Sequence, residues 1–202
     1  MRAVMENMIW QRLLAVTVAL FLLQLAVPGF TDFMAFTPGL VQQKPWTLVT
    51  AAFAHGGFAH LLFNMWALFI FGPILESKLG WRKFLGLYIA AAIAGNIGFA
   101  IAYPPTAVGV GASGALFGLI GALAVLSPNL IVLVFFAPMP LWAAAVLWAA
   151  IDLLGTLAPD NPIAGAAHLA GLAVGIAFGL LLKRSNENTT DSALEYSRKR
   201  GY

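Results

Sequence analysis

Apolar residues along this chain fall into long blocks separated by short polar, glycine-bearing or proline-bearing breaks. A helix needs about 20 apolar residues to cross the hydrocarbon core of a bilayer, and most of the blocks approach that length. The pattern predicts six spans, at about 9–29, 58–76, 82–103, 112–127, 139–155 and 164–183. The fourth is short and opens at the glycine-rich turn Gly109-Val110-Gly111. Its start is compatible with membrane depth only if it is buried among other helices. The first apolar run, from Ile9 to Phe30, is long for a cleaved leader. It lacks a small-x-small site before Pro28 and Gly29, so it is kept as a span.

Two connections are also apolar. The segment at about 31–56 is too short to cross twice, yet it holds Phe33, Phe36, Trp46 and Phe53 together with Pro38 and Pro45. Aromatic rings favour the membrane–water boundary, so this segment is expected to lie in the outer interface. Asn129 to Pro140 is apolar and broken by proline, and is expected at the inner interface. Residues 185–202 are polar without apolar periodicity, which reads as a flexible tail. The expected organisation is one membrane domain, 1–184, followed by a tail, 185–202. The fold class is an all-α membrane bundle of six helices with a short central fourth helix and an embedded outer loop.

Composition agrees with a lipid-facing surface. Of the 202 residues, 61% are hydrophobic and 9% charged, and the mean hydropathy is +0.87. A soluble domain carries about a quarter charged residues. The absence of cysteine excludes disulfides, thiolate metal sites and a cysteine nucleophile. Charge then orients the bundle. Six spans put both termini on one side, and of the 11 basic residues only Lys44 falls on the other. Basic residues stay in the cytoplasm, so both termini are expected there. The compact chain, without an added span or large soluble domain, suggests a prokaryotic inner (plasma) membrane. The net charge of +3 reports topology and requires no nucleic-acid partner.

Polar side chains at membrane depth are costly and each needs an account. The candidates are His55, His60, Asn64, Asn96, Ser113, Asp152 and His168. The predicted spans place four of them at one depth. His60 lies near the outer end of the second span and Asn64 one turn deeper on the same face. Ser113 opens the fourth span and His168 lies about one turn into the sixth. The sixth span reads His168-Leu-Ala-Gly171-Leu-Ala-Val-Gly175-Ile-Ala-Phe-Gly179, and the fourth reads Ser113-Gly114-Ala-Leu-Phe-Gly118, with Gly121 beyond. Small residues four apart let helix backbones approach closely. If the two stripes face each other, Ser113 comes within hydrogen-bond reach of His168, the arrangement of a serine activated by a general base. The Ser113 N–H at a helix start, with Asn64 and His60, would supply donors for an oxyanion. No acidic residue reads as positioned to orient His168, so the expected catalyst is a Ser–His dyad without a third member.

Each residue also has a plainer reading. A serine in a span usually bonds its own helix. His55 reads as a structural partner, Asn64 and Asn96 as polar glue between helices, and Asp152 as a structural residue capping a loop or binding a proton. The glycine stripes alone mean tight packing. Other functions compatible with these residues are a proton-relay transporter using His60, Asp152 and His168, and a non-catalytic scaffold for client helices.

The residues resemble the rhomboid intramembrane proteases. Gly111-Ala112-Ser113-Gly114 is similar to the family's Gly-x-Ser-Gly motif, Ala167-His168-Leu-Ala-Gly171-Leu-Ala-Val-Gly175 to its Ala-His-x-x-Gly-x-x-x-Gly, and His60-Leu-Leu-Phe-Asn64 to its His-x-x-x-Asn. The resemblance implies a serine endopeptidase acting on transmembrane-helix proteins within the lipid bilayer, with no metal or organic cofactor. It implies Ser113 as nucleophile, His168 as base, and Asn64, His60 and the Ser113 N–H as oxyanion site. It further implies a water-filled cavity open to the outside, capped by the loop 156–163 with Pro159, Asp160 and Pro162. The fifth helix would be the side through which substrate enters. Two positions depart from the family's habit: Trp46 is followed by Thr47 where an arginine is common, and Phe117 stands where tyrosine is frequent.

Overall fold

The computed structural model describes residues 8–157 and 164–200, with side chains as far as Ser185. Among the described residues, four helices are long and apolar enough to cross a membrane: α1 (Ile9–Ala26), α4 (Phe58–Leu79), α5 (Trp81–Ala102) and the Gly165–Ser185 part of α8 (Gly165–Arg200). Two shorter apolar helices, α6 (Ser113–Leu126) and α7 (Leu141–Leu157), complete the six expected. The helix α8 carries on past its apolar part into the polar stretch. The loop 158–163, including Pro159, Asp160 and Pro162, lies outside the described residues.

The outer segment folds into short pieces, α2 (Phe30–Met34), a 3-10 turn at Pro38–Leu40, α3 (Thr47–Thr50) and a 3-10 turn at Ala51–Phe53. Its backbone polar groups are satisfied by side chains as well as by its own turns. Trp46 Nε1 donates to Phe33 O at 2.9 Å, Thr50 Oγ1 to Met34 O at 2.9 Å and Lys44 Nζ to Asp32 O at 3.1 Å. Asn96 Nδ2 ties it to α5 by donating to Leu48 O at 2.9 Å, and Phe36 pairs with Gly109. Thr47, one of the two positions that depart from the resembled family's habit (an arginine is common there), is buried and donates to Lys44 O at 2.6 Å. The loop is therefore anchored without that arginine.

Between α6 and α7 the chain forms an antiparallel hairpin, β1 (Ile131–Val134) with β2 (Ala137–Pro140), in the register Val134↔Ala137 to Ile131↔Pro140. This is the one departure from an all-α reading among the described residues. Phe135 and Phe136 make its two-residue turn at φ of 49° and 66°. Such turns normally carry asparagine and glycine, which tolerate positive φ, so the phenylalanines concealed the hairpin.

Helix α6 lies at the centre. Nine of its residues, from Gly114 to Leu123, are buried, as expected of a helix apolar on every side. It packs most extensively on α8, then on α5. At 14 residues it is about 21 Å long, well short of the hydrocarbon thickness, so one end lies inside the bundle. The contact with α8 is backbone on backbone. A Cβ on Gly171 would fall on the Gly114 carbonyl oxygen, and one on Gly175 on the Gly118 carbonyl oxygen. At Gly98 of α5 a Cβ would meet Ala166 O at 2.7 Å. The small-residue stripes thus face each other as their spacing suggested.

Glu76, which the sequence did not single out, is buried in α4. Its carboxylate accepts the Ile9 N–H at 2.8 Å and the Trp10 N–H at 2.9 Å. A helix start leaves its first N–H groups unpaired and carries a partial positive charge, and Glu76 answers both for α1 from another helix.

Candidate active site

A cavity of about 480 Å³ opens among α4, α6 and α8, lined by His60, Asn64, Ser113, Phe117 and His168 with apolar neighbours that include Phe63 and Leu116. The four polar residues placed at one depth by the sequence therefore share one wall-to-wall space. Ser113 is the first residue of α6, reached through Gly111 at φ +121°. A Cβ on Gly111 would sit 2.7 Å from His60 Cε1 and Nε2, so the approach to the serine demands glycine for conformation and for space.

His168 Nε2 lies 2.8 Å from Ser113 Oγ. The glycine contact sets this distance, since α6 and α8 meet at Gly114, the residue after Ser113, and Gly171, about one turn beyond His168. The imidazole plane is fixed by Phe117, which stacks on it at 4.4 Å between centroids and 6° between planes. Phenylalanine performs that stacking without the hydroxyl of tyrosine.

The other ring nitrogen corrects the sequence reading. His168 Nδ1 lies 3.0 Å from Asp152 Oδ1, and both side chains are largely buried. Asp152 was expected to be structural, and the histidine was expected to lack an acidic partner. Helices α7 and α8 fold back on each other, so that Gly165 packs against the Asp152 carbonyl and Thr156 Oγ1. Positions 152 and 168 are equidistant along the sequence from residue 160, and that symmetry was the signal available in the sequence.

Asn64 is buried, and its Nδ2 donates to His60 O at 2.8 Å, one turn back in its own helix. An amide has two N–H donors, so one remains for the cavity. His60 receives the Gly56 N–H on Nδ1 at 3.5 Å. Its ring meets that of His55 edge-on, with centroids 5.1 Å apart. His55 belongs to the loop before α4, and its backbone N–H and C=O both bond the Gln24 side chain, at 3.0 and 3.2 Å. Burial, followed by the neighbouring His60 ring, pushes the His55 imidazole down to about 4. A neutral His55 packed behind His60 fits its reading as a structural partner. Asn96 holds the outer segment through its bond to Leu48 O.

Comparison with known proteins bears on the same residues. A family model described as the Rhomboid domain matches residues 42–185. Rhomboid protein 1, mitochondrial, of Saccharomyces cerevisiae is 36% identical over 157 residues, covering 74% of this chain and 45% of that protein. The putative rhomboid protease YdcA of Bacillus subtilis is 47% identical over 83 residues, 41% of this chain and 42% of the relative. Rhomboid protease GluP of the same organism is 44% identical over 85 residues, 42% of this chain and 16% of the relative. The matched part spans less than half the length of each of these relatives. The family match takes in most of the chain and every polar residue of the cavity, and the chain belongs to the rhomboid family.

Proposed function

We propose that this integral membrane protein is an intramembrane serine endopeptidase. It hydrolyses peptide bonds in or next to the transmembrane helices of other membrane proteins. The observation that carries the reading is the 2.8 Å contact between Ser113 Oγ and His168 Nε2 at the edge of a cavity with donor side chains. Ser113 Oγ gives its proton to His168 Nε2 as it attacks the carbonyl carbon. The carbonyl oxygen becomes an oxyanion, held by the Ser113 N–H at the start of α6 and by Asn64 and His60. The imidazolium then protonates the leaving amine, the C–N bond breaks, and an acyl-enzyme remains. Water, deprotonated by His168, releases the acid and restores the serine. These steps draw on this chain's own side chains and backbone and on water.

A helical substrate hides its carbonyls in its own hydrogen bonds, so it has to unwind locally to reach Ser113. The charge pattern further supports cytoplasmic termini for a membrane domain at residues 1–184. The test is intact-mass analysis after treatment with a fluorophosphonate. One adduct is expected, on Ser113, and none in Ser113→Ala or His168→Ala. An unlabelled wild-type protein, or an adduct on another residue, sinks the assignment.

A further inference from the structure

Two carboxylates are buried among the described residues, and they are treated differently. Both oxygens of Glu76 accept backbone N–H groups. Asp152 has one partner for its carboxylate, His168 Nδ1, while Oδ2 is buried without any. A carboxylate left half satisfied away from water opposes folding relative to an apolar side chain of similar volume. What it gains is therefore to be sought at His168.

The imidazole has two neutral tautomers, and the site distinguishes them. With the proton on Nδ1, the ring donates to Asp152 Oδ1 and turns the Nε2 lone pair to Ser113 Oγ, 2.8 Å away. With the proton on Nε2, two acceptors, Nδ1 and a carboxylate oxygen, would face each other at 3.0 Å. Nε2 could then not accept the serine proton. The geometry points to Asp152 as a positioning residue for the reaction proposed above, on which this inference rests. It holds His168 in the Nδ1–H tautomer, and its charge stabilises the imidazolium that forms when Ser113 attacks.

The two supports of the ring are complementary. Phe117, stacked at 6° to it, fixes the plane, and Asp152 fixes the rotation and the proton within that plane. The attraction between Asp152 and His168 strengthens when the ring becomes positive, so it favours the transition state over the resting state. No proton passes to Asp152, which remains a carboxylate throughout. The working unit is then Ser113, His168 and Asp152, drawn from α6, α8 and α7.

Asp152→Asn preserves volume and removes the charge, and it should be compared with the full-length wild type in detergent on a model transmembrane substrate. The expected result is a fall in kcat of about 10²–10⁴, with KM within about twofold and the thermal midpoint unchanged. Fluorophosphonate labelling of Ser113 should slow in step. Wild-type kcat in Asp152→Asn overturns the inference, while the protease reading survives if wild type is labelled at Ser113. A wild type that is never labelled removes the protease reading itself. Should Asp152→Asn fold poorly, nitrogen NMR of the histidine-labelled wild type decides. The chain has only three histidines, so the His168 signals are identified by their loss in His168→Ala. A proton on Nδ1 is expected, and one on Nε2 overturns the assignment.

Discussion

Asn64 makes a structural bond and still has a donor to offer. The amide bonds His60 O, which as a helix carbonyl already has a backbone acceptor role, so losing that bond costs about 0.5–1.5 kcal/mol. Its second N–H would be available to the oxyanion of the proposed reaction, which exists only during turnover. Asn64→Ala should therefore reduce kcat by about 10²–10³ while the protein remains folded. Substrate cleavage and thermal denaturation in detergent measure the two effects separately. A variant as fast as wild type would leave Asn64 with only its bond to α4. At this scale the sequence was informative where spacing sufficed. His60 and Asn64 four apart, and Ser113 against His168 across matched stripes, follow from helical periodicity and span direction. Asp152 was missed because its partner is set by how α7 and α8 pack against each other, and periodicity within one helix does not carry that information. Glu76 was missed for a related reason, since the helix end that it caps is 66 residues away in the chain.

Among the elements, the pairing of α6 with α8 has the least tolerance for change. Gly171 has Gly114 backbone directly against its missing side chain, with no flexible group to move aside. Gly171→Val should push the helices apart, lowering the thermal midpoint and the cleavage rate together. An active and equally stable Gly171→Val protein would refute the contact that sets the Ser113–His168 distance. The six main helices could be read from apolar block length because lipid imposes that length. Their ends differ by a few residues, as in α1, which stops at Ala26 rather than near Gly29. The hairpin between α6 and α7 could not be read. Its turn carries two phenylalanines at positive φ, and alternation over four residues per strand is too brief to declare a strand.

For the molecule as a whole, the placement of basic residues is the feature with the widest reach, because it decides the face from which water and substrate arrive. If both termini are cytoplasmic, Ser113 and His168 lie toward the outer face. Single cysteines test this without background, as the chain has none of its own. In intact cells a cysteine replacing Lys44 should react with an impermeant thiol reagent, and one replacing Lys199 should not. The reverse pattern overturns the topology. The glycine seam has a further effect at this scale. Helices in a bilayer of the wrong thickness respond by tilting, and most helix pairs slide a little against soft side chains as they do so. Between α6 and α8 there are no side chains at the closest points, so the two backbones can only tilt together. On the proposed mechanism, Ser113 and His168 would then ride as one rigid body, and the spacing that proton transfer requires would be insulated from the lipid composition of the membrane in which the protein resides.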